Sequence, residues 1–194
     1  MINYLTNNIT EYFCSNNIIT DDEKDIYIYG LQLIISSVVG IILIISLGFI
    51  LNNIINSILF LITFISIRMY SGGYHANSYI KCNVSLVIIY LLSIVVISII
   101  PYNYISIMYI SMIILTIYII IKYSPVDNKN KKLTNNQKKR NKKVTLILLF
   151  TFYLIGIATY KINSQIFYTI IVTMFFVAAL IIKKIIEEGG VTNE

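Results

Sequence analysis

The stretch Val84–Ile100, VSLVIIYLLSIVVISII, has 17 residues without a charge, and Val144–Tyr160, VTLILLFTFYLIGIATY, is a second run of the same length. Of the 194 residues in the chain, 57% are hydrophobic and 12% are charged, whereas an average soluble domain has about a quarter charged residues. The mean hydropathy is +0.79. Long uncharged runs suit a lipid bilayer better than a soluble core. The sequence therefore predicts a polytopic membrane protein and argues against a disordered chain, a coiled coil or an ordinary soluble enzyme.

Six apolar runs are candidates for membrane-spanning helices, so the predicted fold is all-α, with one transmembrane domain over residues 1–194. The second run has 14 residues and would extend over only about 21 Å as a helix. We therefore expect Arg68 at its end to reach toward the membrane surface, or the bilayer to be thin there. The six runs are Ile26–Leu51, Ile54–Ile67, Val84–Ile100, Ile105–Ile121, Val144–Tyr160 and Ile166–Ile182.

The N-terminal segment differs in pattern from the six runs. Within residues 1–19, apolar side chains such as Leu5, Ile9 and Tyr12 recur at near-helical spacing with polar residues between them. This pattern predicts a short amphipathic helix that lies on the membrane surface. The sequence Thr20–Glu23, TDDE, then has the form of a capping box at the start of the next helix.

Basic residues are concentrated in one loop. The chain has 15 Lys and Arg against nine Asp and Glu, for a formal charge of +6. Nine of the basic residues lie in a loop over residues 122–143, between the fourth and fifth runs, where they indicate orientation in a membrane rather than binding to nucleic acid. With this loop in the cytoplasm, both termini are cytoplasmic, and Lys161 is the one basic residue outside. The nine are Lys122, Lys129, Lys131, Lys132, Lys138, Lys139, Arg140, Lys142 and Lys143.

His75 and Cys82 are the candidate catalytic residues, in the loop between the second and third runs. A histidine within hydrogen-bond reach of a thiol can generate the nucleophilic thiolate. Nearby Arg68 and the N-terminal end of a helix would favour that anion further. The two residues are about 10.5 Å apart along a straight helix, so the backbone must bend between them. The alternative is a surface histidine with a cysteine that fills a small apolar space, and spacing alone favours this alternative.

Two polar residues, one within an apolar run and one at the end of another, also need an explanation. An amide within a membrane helix, such as that of Gln32, is costly unless it faces a partner or a cavity. It could donate to a developing oxyanion or make a hydrogen bond between helices. Arg68 could orient carboxylates of a substrate or simply extend to the membrane surface, and the sequence leaves both pairs of alternatives open.

The pattern Arg68-x3-Gly72-Gly73-x-His75-x6-Cys82 resembles that of the accessory gene regulator B family, AgrB. These are bacterial membrane cysteine endopeptidases that mature a quorum-sensing propeptide. The resemblance covers nearly the whole chain in its size, number of spans and basic loop. It implies that His75 and Cys82 are the catalytic pair.

The resemblance also assigns further residues to the site. The polar residue in the family's first span is similar to Gln32, and the arginine and glycines before the catalytic histidine are similar to Arg68, Gly72 and Gly73. The basic residues of the family's large cytoplasmic loop resemble a group of lysines. These are Lys129, Lys131 and Lys132.

The mechanism that the resemblance implies is peptide cleavage followed by cyclisation. A short amphipathic propeptide lies on the inner face of the bacterial cell membrane, among the lipids. Cys82 attacks on the C-terminal side of the future signal and forms an acyl-enzyme thioester, and an internal cysteine of the substrate then closes a thiolactone ring. No metal or organic cofactor is needed. The family also implies a homodimer.

Two other classes of function remain possible for such a chain. A small membrane transporter or channel subunit that exports a peptide would have paired ionisable groups or broken helices near the middle of the membrane. The six runs contain almost no ionisable residues, and the polar groups lie at the cytoplasmic edge, which favours the enzyme. A purely structural membrane partner would tolerate any residue at His75 and Cys82.

Overall fold

The computed structural model describes residues 2–73, 78–99, 105–127 and 133–191. Over these residues the chain forms seven α-helices and one short 3-10 turn, Asp21–Glu23. The helices are α1, Ile2–Ser15; α2, Lys24–Ile50; α3, Ile54–Ser71; α4, Tyr79–Ile99; α5, Ile105–Tyr123; α6, Asn135–Thr159; and α7, Ser164–Val191. The predicted all-α membrane fold is confirmed.

Five of the described helices are long and apolar enough to cross a membrane, namely α2, α3, α4, α6 and α7. The apolar part of α5, Ile107–Tyr123, is shorter. The whole of α5 has 19 residues, or about 28 Å at 1.5 Å per residue, close to the roughly 30 Å hydrocarbon core of a bilayer. The predicted count of six spans therefore depends on α5.

Helix α7 is the centre of the bundle. It packs against α3, α4, α5 and α6, and 56% of its apolar span is buried, against 39% or less in the other four spans. The other helices expose apolar side chains such as Ile34, Phe49 and Ile114 on their outer faces. Exposed apolar surface of this extent is typical of a protein whose surroundings are lipid. The fully buried side chains of α7 are Ile170, Ile171, Val172, Thr173, Met174, Val177, Ala178 and Ile181.

The second span is longer than its apolar run. Helix α3 has 18 residues and ends at Ser71 rather than at Ile67. It is therefore about 27 Å long, and the 14-residue length that was expected for this span is wrong. The helix continues through Arg68 because the side chain of this arginine is accommodated inside the bundle, as described below.

The first two helices pack against each other at the N-terminus. Helix α1 lies along α2, and its buried side chains are Thr6 and Thr10, while Tyr4 and Tyr12 are exposed. Small residues let the two helix backbones approach closely, which leaves the larger apolar side chains for lipid. Ahead of α2, the Glu23 carboxylate accepts hydrogen bonds from the backbone N–H and the hydroxyl of Thr20, at 3.1 and 2.9 Å.

The basic segment is only partly a loop. Helix α5 continues to Tyr123, and α6 begins at Asn135, so half of the loop predicted over residues 122–143 is helical. Thr134 caps α6: its hydroxyl oxygen accepts from the N–H of Gln137 at 3.3 Å, and the Gln137 side chain accepts from the Thr134 N–H at 3.0 Å. The helix therefore begins at this capping box rather than at its first apolar residue.

Candidate functional site

Cys82 lies on the first turn of α4, as its sequence position predicted. Its backbone N–H donates to the carbonyl of Ser78 at 3.0 Å, and the Ser78 hydroxyl oxygen accepts from the N–H of Lys81 at 3.3 Å. Ser78 thus caps the helix. Cys82 is partly exposed, and the positive end of a helix dipole stabilises an anion placed on its first turn.

Arg68 and Cys82 line the same small cavity, between α3, α4 and α7. The cavity has a volume of about 30 Å³, which is enough for a water molecule. Three of the lining residues, Arg68, Cys82 and Ser85, carry a polar group, and the other four are apolar. The lining residues are Phe64, Arg68, Cys82, Ser85, Leu86, Ile89 and Leu180.

The side chain of Arg68 turns into the bundle rather than away from it. Its guanidinium carbon lies 5.4 Å from the centre of the Phe64 ring, within the range of a cation–π interaction. One guanidinium nitrogen lies 3.7 Å from the point that a Cβ on Gly73 would occupy. Arg68 therefore connects the cavity that contains Cys82 to the glycine turn at the end of α3.

Gly72 and Gly73 form a turn that only glycine accommodates well. Both have positive φ, +71° and +124°, and a Cβ on Gly72 would clash with the carbonyl oxygen of Val126. The turn packs on the segment that follows α5: the carbonyl of Ser71 accepts from the N–H of Val126 at 3.0 Å and from the Ser124 hydroxyl at 3.4 Å. The start of the basic segment is thus bound directly to the site.

This contact between Ser71 and Ser124–Val126 is absent from the sequence prediction. The nearest signal in the sequence was Ser124-Pro125, because a serine–proline pair immediately after a helical run marks a turn. The pair indicates where the chain turns and carries no information on which distant residue the turn contacts.

Gln32 is not among the residues that line the cavity. Its side-chain carbonyl accepts a hydrogen bond from the hydroxyl of Tyr79 at 2.8 Å, and its side-chain N–H donates to Asn3 at 3.3 Å. These contacts join α1, α2 and α4, so Gln32 makes the hydrogen bond between helices that was one of its two sequence interpretations. Tyr79 was missed because it is one of 16 tyrosines, most of which suit a membrane interface without any other role.

Several predicted site residues lie outside the described residues, namely His75, Lys129, Lys131 and Lys132. The four residues 74–77 that include His75 connect Gly73, beside Arg68, to Ser78, which caps the helix of Cys82. The lysines lie between Asp127 and Leu133, where an Asp127 oxygen accepts from the Leu133 N–H at 3.3 Å. Among the described residues, no three His, Cys, Asp or Glu side chains come together as metal ligands.

The fold and this cavity define a polytopic α-helical membrane protein with a cysteine, an arginine and a glycine turn at one end of the bundle. Residues 6–182 match the family model of accessory gene regulator B, and the chain belongs to this family. The family takes part in the processing of quorum-sensing peptides of the accessory gene regulator system.

Relatives in Clostridium perfringens support this assignment. The chain is 28% identical to an AgrB-like protein 2 of strain 13 and 30% identical to an AgrB-like protein of strain SM101. Each comparison extends over 159 residues, which are 79% of this chain and 74% of the relative. No solved structure matches the chain significantly.

Proposed function

We propose that this protein is a membrane cysteine endopeptidase that cleaves a quorum-sensing propeptide and closes it into a thiolactone, with Cys82 as the nucleophile and His75 as the base. The observation that supports this most directly is the placement of Cys82 on the first turn of α4, in a cavity that it shares with Arg68. Membership of the family supports the class of substrate.

The first half of the reaction is acyl transfer to the enzyme. His75 takes the proton of the Cys82 thiol, and the thiolate attacks the carbonyl carbon of the scissile peptide bond. When the tetrahedral intermediate collapses, the C–N bond breaks and the leaving amine receives the proton from His75. The N-terminal part of the substrate is then bound to Cys82 as a thioester, and the C-terminal fragment departs.

The second half closes the ring. The thiol of an internal substrate cysteine loses its proton to His75 and attacks the thioester carbonyl, so that Cys82 leaves as a thiolate and recovers a proton. One thioester replaces another, so the step needs no ATP. A nucleophile held within the same peptide has an effective concentration far above that of a free thiol, which favours ring closure over reaction with other thiols.

The substrate and the partners that we propose are those that the resemblance to the family implies. The propeptide is short and amphipathic, lies at the inner membrane surface, and presents carboxylates that Arg68 orients. Lys129, Lys131 and Lys132 bind its acidic groups and the anionic lipid headgroups. The active protein is a homodimer in the bacterial cell membrane, with the active site and both termini in the cytoplasm.

A substrate whose ring-closing cysteine is replaced by alanine separates the two halves of the reaction. We expect purified protein in lipid vesicles to release the C-terminal fragment and then to accumulate a covalent enzyme–peptide adduct. The adduct should be visible by mass spectrometry and sensitive to hydroxylamine, because a thioester without its intramolecular acceptor is cleared only slowly by water.

The two cysteines of the chain provide the matched control. Cys82→Ala should release no fragment and form no adduct, whereas Cys14→Ala should behave like the parent. Cleavage by Cys82→Ala at the parent rate would refute the enzyme assignment. Linear peptide formed at the full rate without any trappable adduct would exclude the thioester step.

A further inference from the structure

A hydrogen bond joins the first span to the helix start that carries Cys82. The hydroxyl of Tyr79, the first residue of α4, donates to the side-chain carbonyl of Gln32 at 2.8 Å. The side-chain N–H of Gln32 donates in turn to Asn3 of α1 at 3.3 Å. The oxygen of the Gln32 amide is thus hydrogen-bonded to α4, and the nitrogen of the same amide is hydrogen-bonded to α1.

Tyr79 and Cys82 are three residues apart on α4. Residues at this spacing are neighbours on one side of a helix, so an interaction that fixes the direction of one also fixes that of the other. Cys82 faces Arg68 and Leu180 across the cavity, while Tyr79 faces α2. A bond at Tyr79 therefore restrains the rotation and position of the helix start with respect to α3 and α7.

A second contact holds the same part of α4 against α2. At Gly40, a Cβ would lie 3.0 Å from a side-chain oxygen of Asn83 and 3.1 Å from Leu86. This contact fixes the distance between the two helices one turn after Tyr79. The first turn of α4 itself is held by its hydrogen bonds with Ser78 and Gln32.

We propose that Gln32 is a positioning residue that acts on the reaction through Tyr79, and that it does not donate to the oxyanion of the substrate. This inference rests on the proposed function, since it concerns the thiol that performs the cleavage. According to this inference, Gln32 affects the reaction because it helps to orient the Cys82 thiol. Removal of the Tyr79 hydroxyl should then have the same effect as removal of the Gln32 amide.

Three variants separate the two roles of Gln32. Tyr79→Phe removes the donor hydroxyl alone, Gln32→Leu removes the amide, and Gln32→Glu keeps an oxygen that accepts from Tyr79 but has no N–H to offer an oxyanion. All are made in the full chain on a Cys14→Ala background, so that Cys82 is the single thiol. Tyr27→Phe is the matched control, because Tyr27 is an exposed tyrosine near the start of α2, the helix that contains Gln32.

Two measurements in lipid vesicles are compared, namely the rate of alkylation of Cys82 by iodoacetamide and the single-turnover rate of propeptide cleavage. We expect Tyr79→Phe and Gln32→Leu to lower both rates by a similar factor, about fivefold to tenfold. The double variant should be no slower than either single one, because both changes remove the same bond. Gln32→Glu keeps the acceptor for Tyr79 but loses the donor to Asn3, so both rates should fall less than in Gln32→Leu, while Tyr27→Phe should stay close to the parent.

The opposite pattern would overturn the inference. If Gln32 donates to the oxyanion, Gln32→Glu and Gln32→Leu should both lose cleavage while Tyr79→Phe keeps it, and alkylation should be unchanged throughout. Tyr79→Phe removes a single oxygen and decides the question even if Gln32→Leu fails to fold. Alkylation needs no substrate, so it still tests this inference if Cys82→Ala proves to cleave the propeptide and the proposed function fails.

Discussion

Gly72 is the residue whose backbone most clearly restricts what can replace it. Its φ of +71° and ψ of −152° lie in a region that essentially only glycine adopts. A side chain would also meet the backbone of Val126, which cannot rotate away as a flexible side chain would. The turn therefore needs glycine for two independent reasons, and both concern the segment that leads into His75.

Gly72→Ala should destabilise the protein and reduce cleavage. We expect a loss of roughly 2–3 kcal/mol in the free energy of unfolding from backbone strain and overpacking, or about 4–12 °C in Tm for a chain of this size. Thermal unfolding in detergent measures the loss. Gly30→Ala is the control, because a Cβ on Gly30 meets no atom within 4 Å. A Gly72→Ala protein with the parent's Tm and activity would contradict the strain that the turn geometry implies.

The sequence predicted some of these residues and not others. Arg68 and Cys82 could be placed together because Arg68 ends one apolar run and Cys82 comes just before the next, and the ends of adjacent runs that are joined by a loop meet at one membrane surface. Tyr79 and Ser124 could not, because a hydrogen bond between distant helices depends on how those helices are rotated. The sequence says little about how a membrane helix is rotated about its axis when all of its faces are apolar. Lipid and the protein interior favour the same side chains, so no face is marked as the buried one.

At the level of elements, α3 and α6 show that hydropathy does not locate the ends of helices. Both helices extend beyond their apolar runs, α3 past Arg68 to Ser71 and α6 back to Asn135. Hydropathy locates the part of a helix that lies in lipid, whereas the helix itself ends where its capping interactions are. The Thr134–Gln137 capping box was present in the sequence as TNNQ and would have placed the start of α6 correctly.

Asp127 links the two described chain ends that flank the lysine segment, residues 128–132. Its carboxylate accepts from the N–H of Leu133 and forms an ion pair with Lys138 on the first turn of α6. Asp127→Ala should speed tryptic cleavage between residues 128 and 143 about threefold to fivefold, because partly exposed pairs contribute at most about 1 kcal/mol. Limited digestion in detergent, mapped by mass spectrometry, measures the rate.

Another exposed ion pair provides the control for this change. Glu11→Ala removes the pair between Glu11 and Lys24, at 3.9 Å, far along the sequence from the lysine segment. It should leave cleavage between residues 128 and 143 unchanged. Equal cleavage rates in Asp127→Ala and the parent would show that the ion pair does not restrain the segment.

For the whole molecule, the packing shows which helix ends share one end of the bundle. The end of α3 contacts the segment after α5 through Ser71 and Val126. At the other end, the starts of α3 and α7 meet through a hydrogen bond of 3.2 Å between Asn56 and Gln165. Tyr109 near the start of α5 stacks on Tyr168 near the start of α7, at 4.5 Å between ring centres. Helix α5 therefore runs parallel to α3 and α7 along the bundle.

This arrangement, combined with the charge distribution, leads to a prediction of topology. If α5 spans the membrane, the end with Cys82, Gly72 and the basic segment lies on one side, and residues 101–104 lie on the other. The positive-inside rule places the basic side in the cytoplasm. A cysteine at Lys131, on a background without native cysteines, should then resist an impermeant thiol reagent in intact cells, whereas one at Asn103 should react.

Permeabilised cells are the control, since both positions should react there if both are accessible. The experiment also tests α5, because a helix that failed to cross would leave positions 103 and 131 on the same side of the membrane. Equal labelling of the two in intact cells would contradict six spans. Labelling at 131 with protection at 103 would keep six spans but reverse the orientation, and it would place Cys82 outside, where a cytoplasmic propeptide could not reach it.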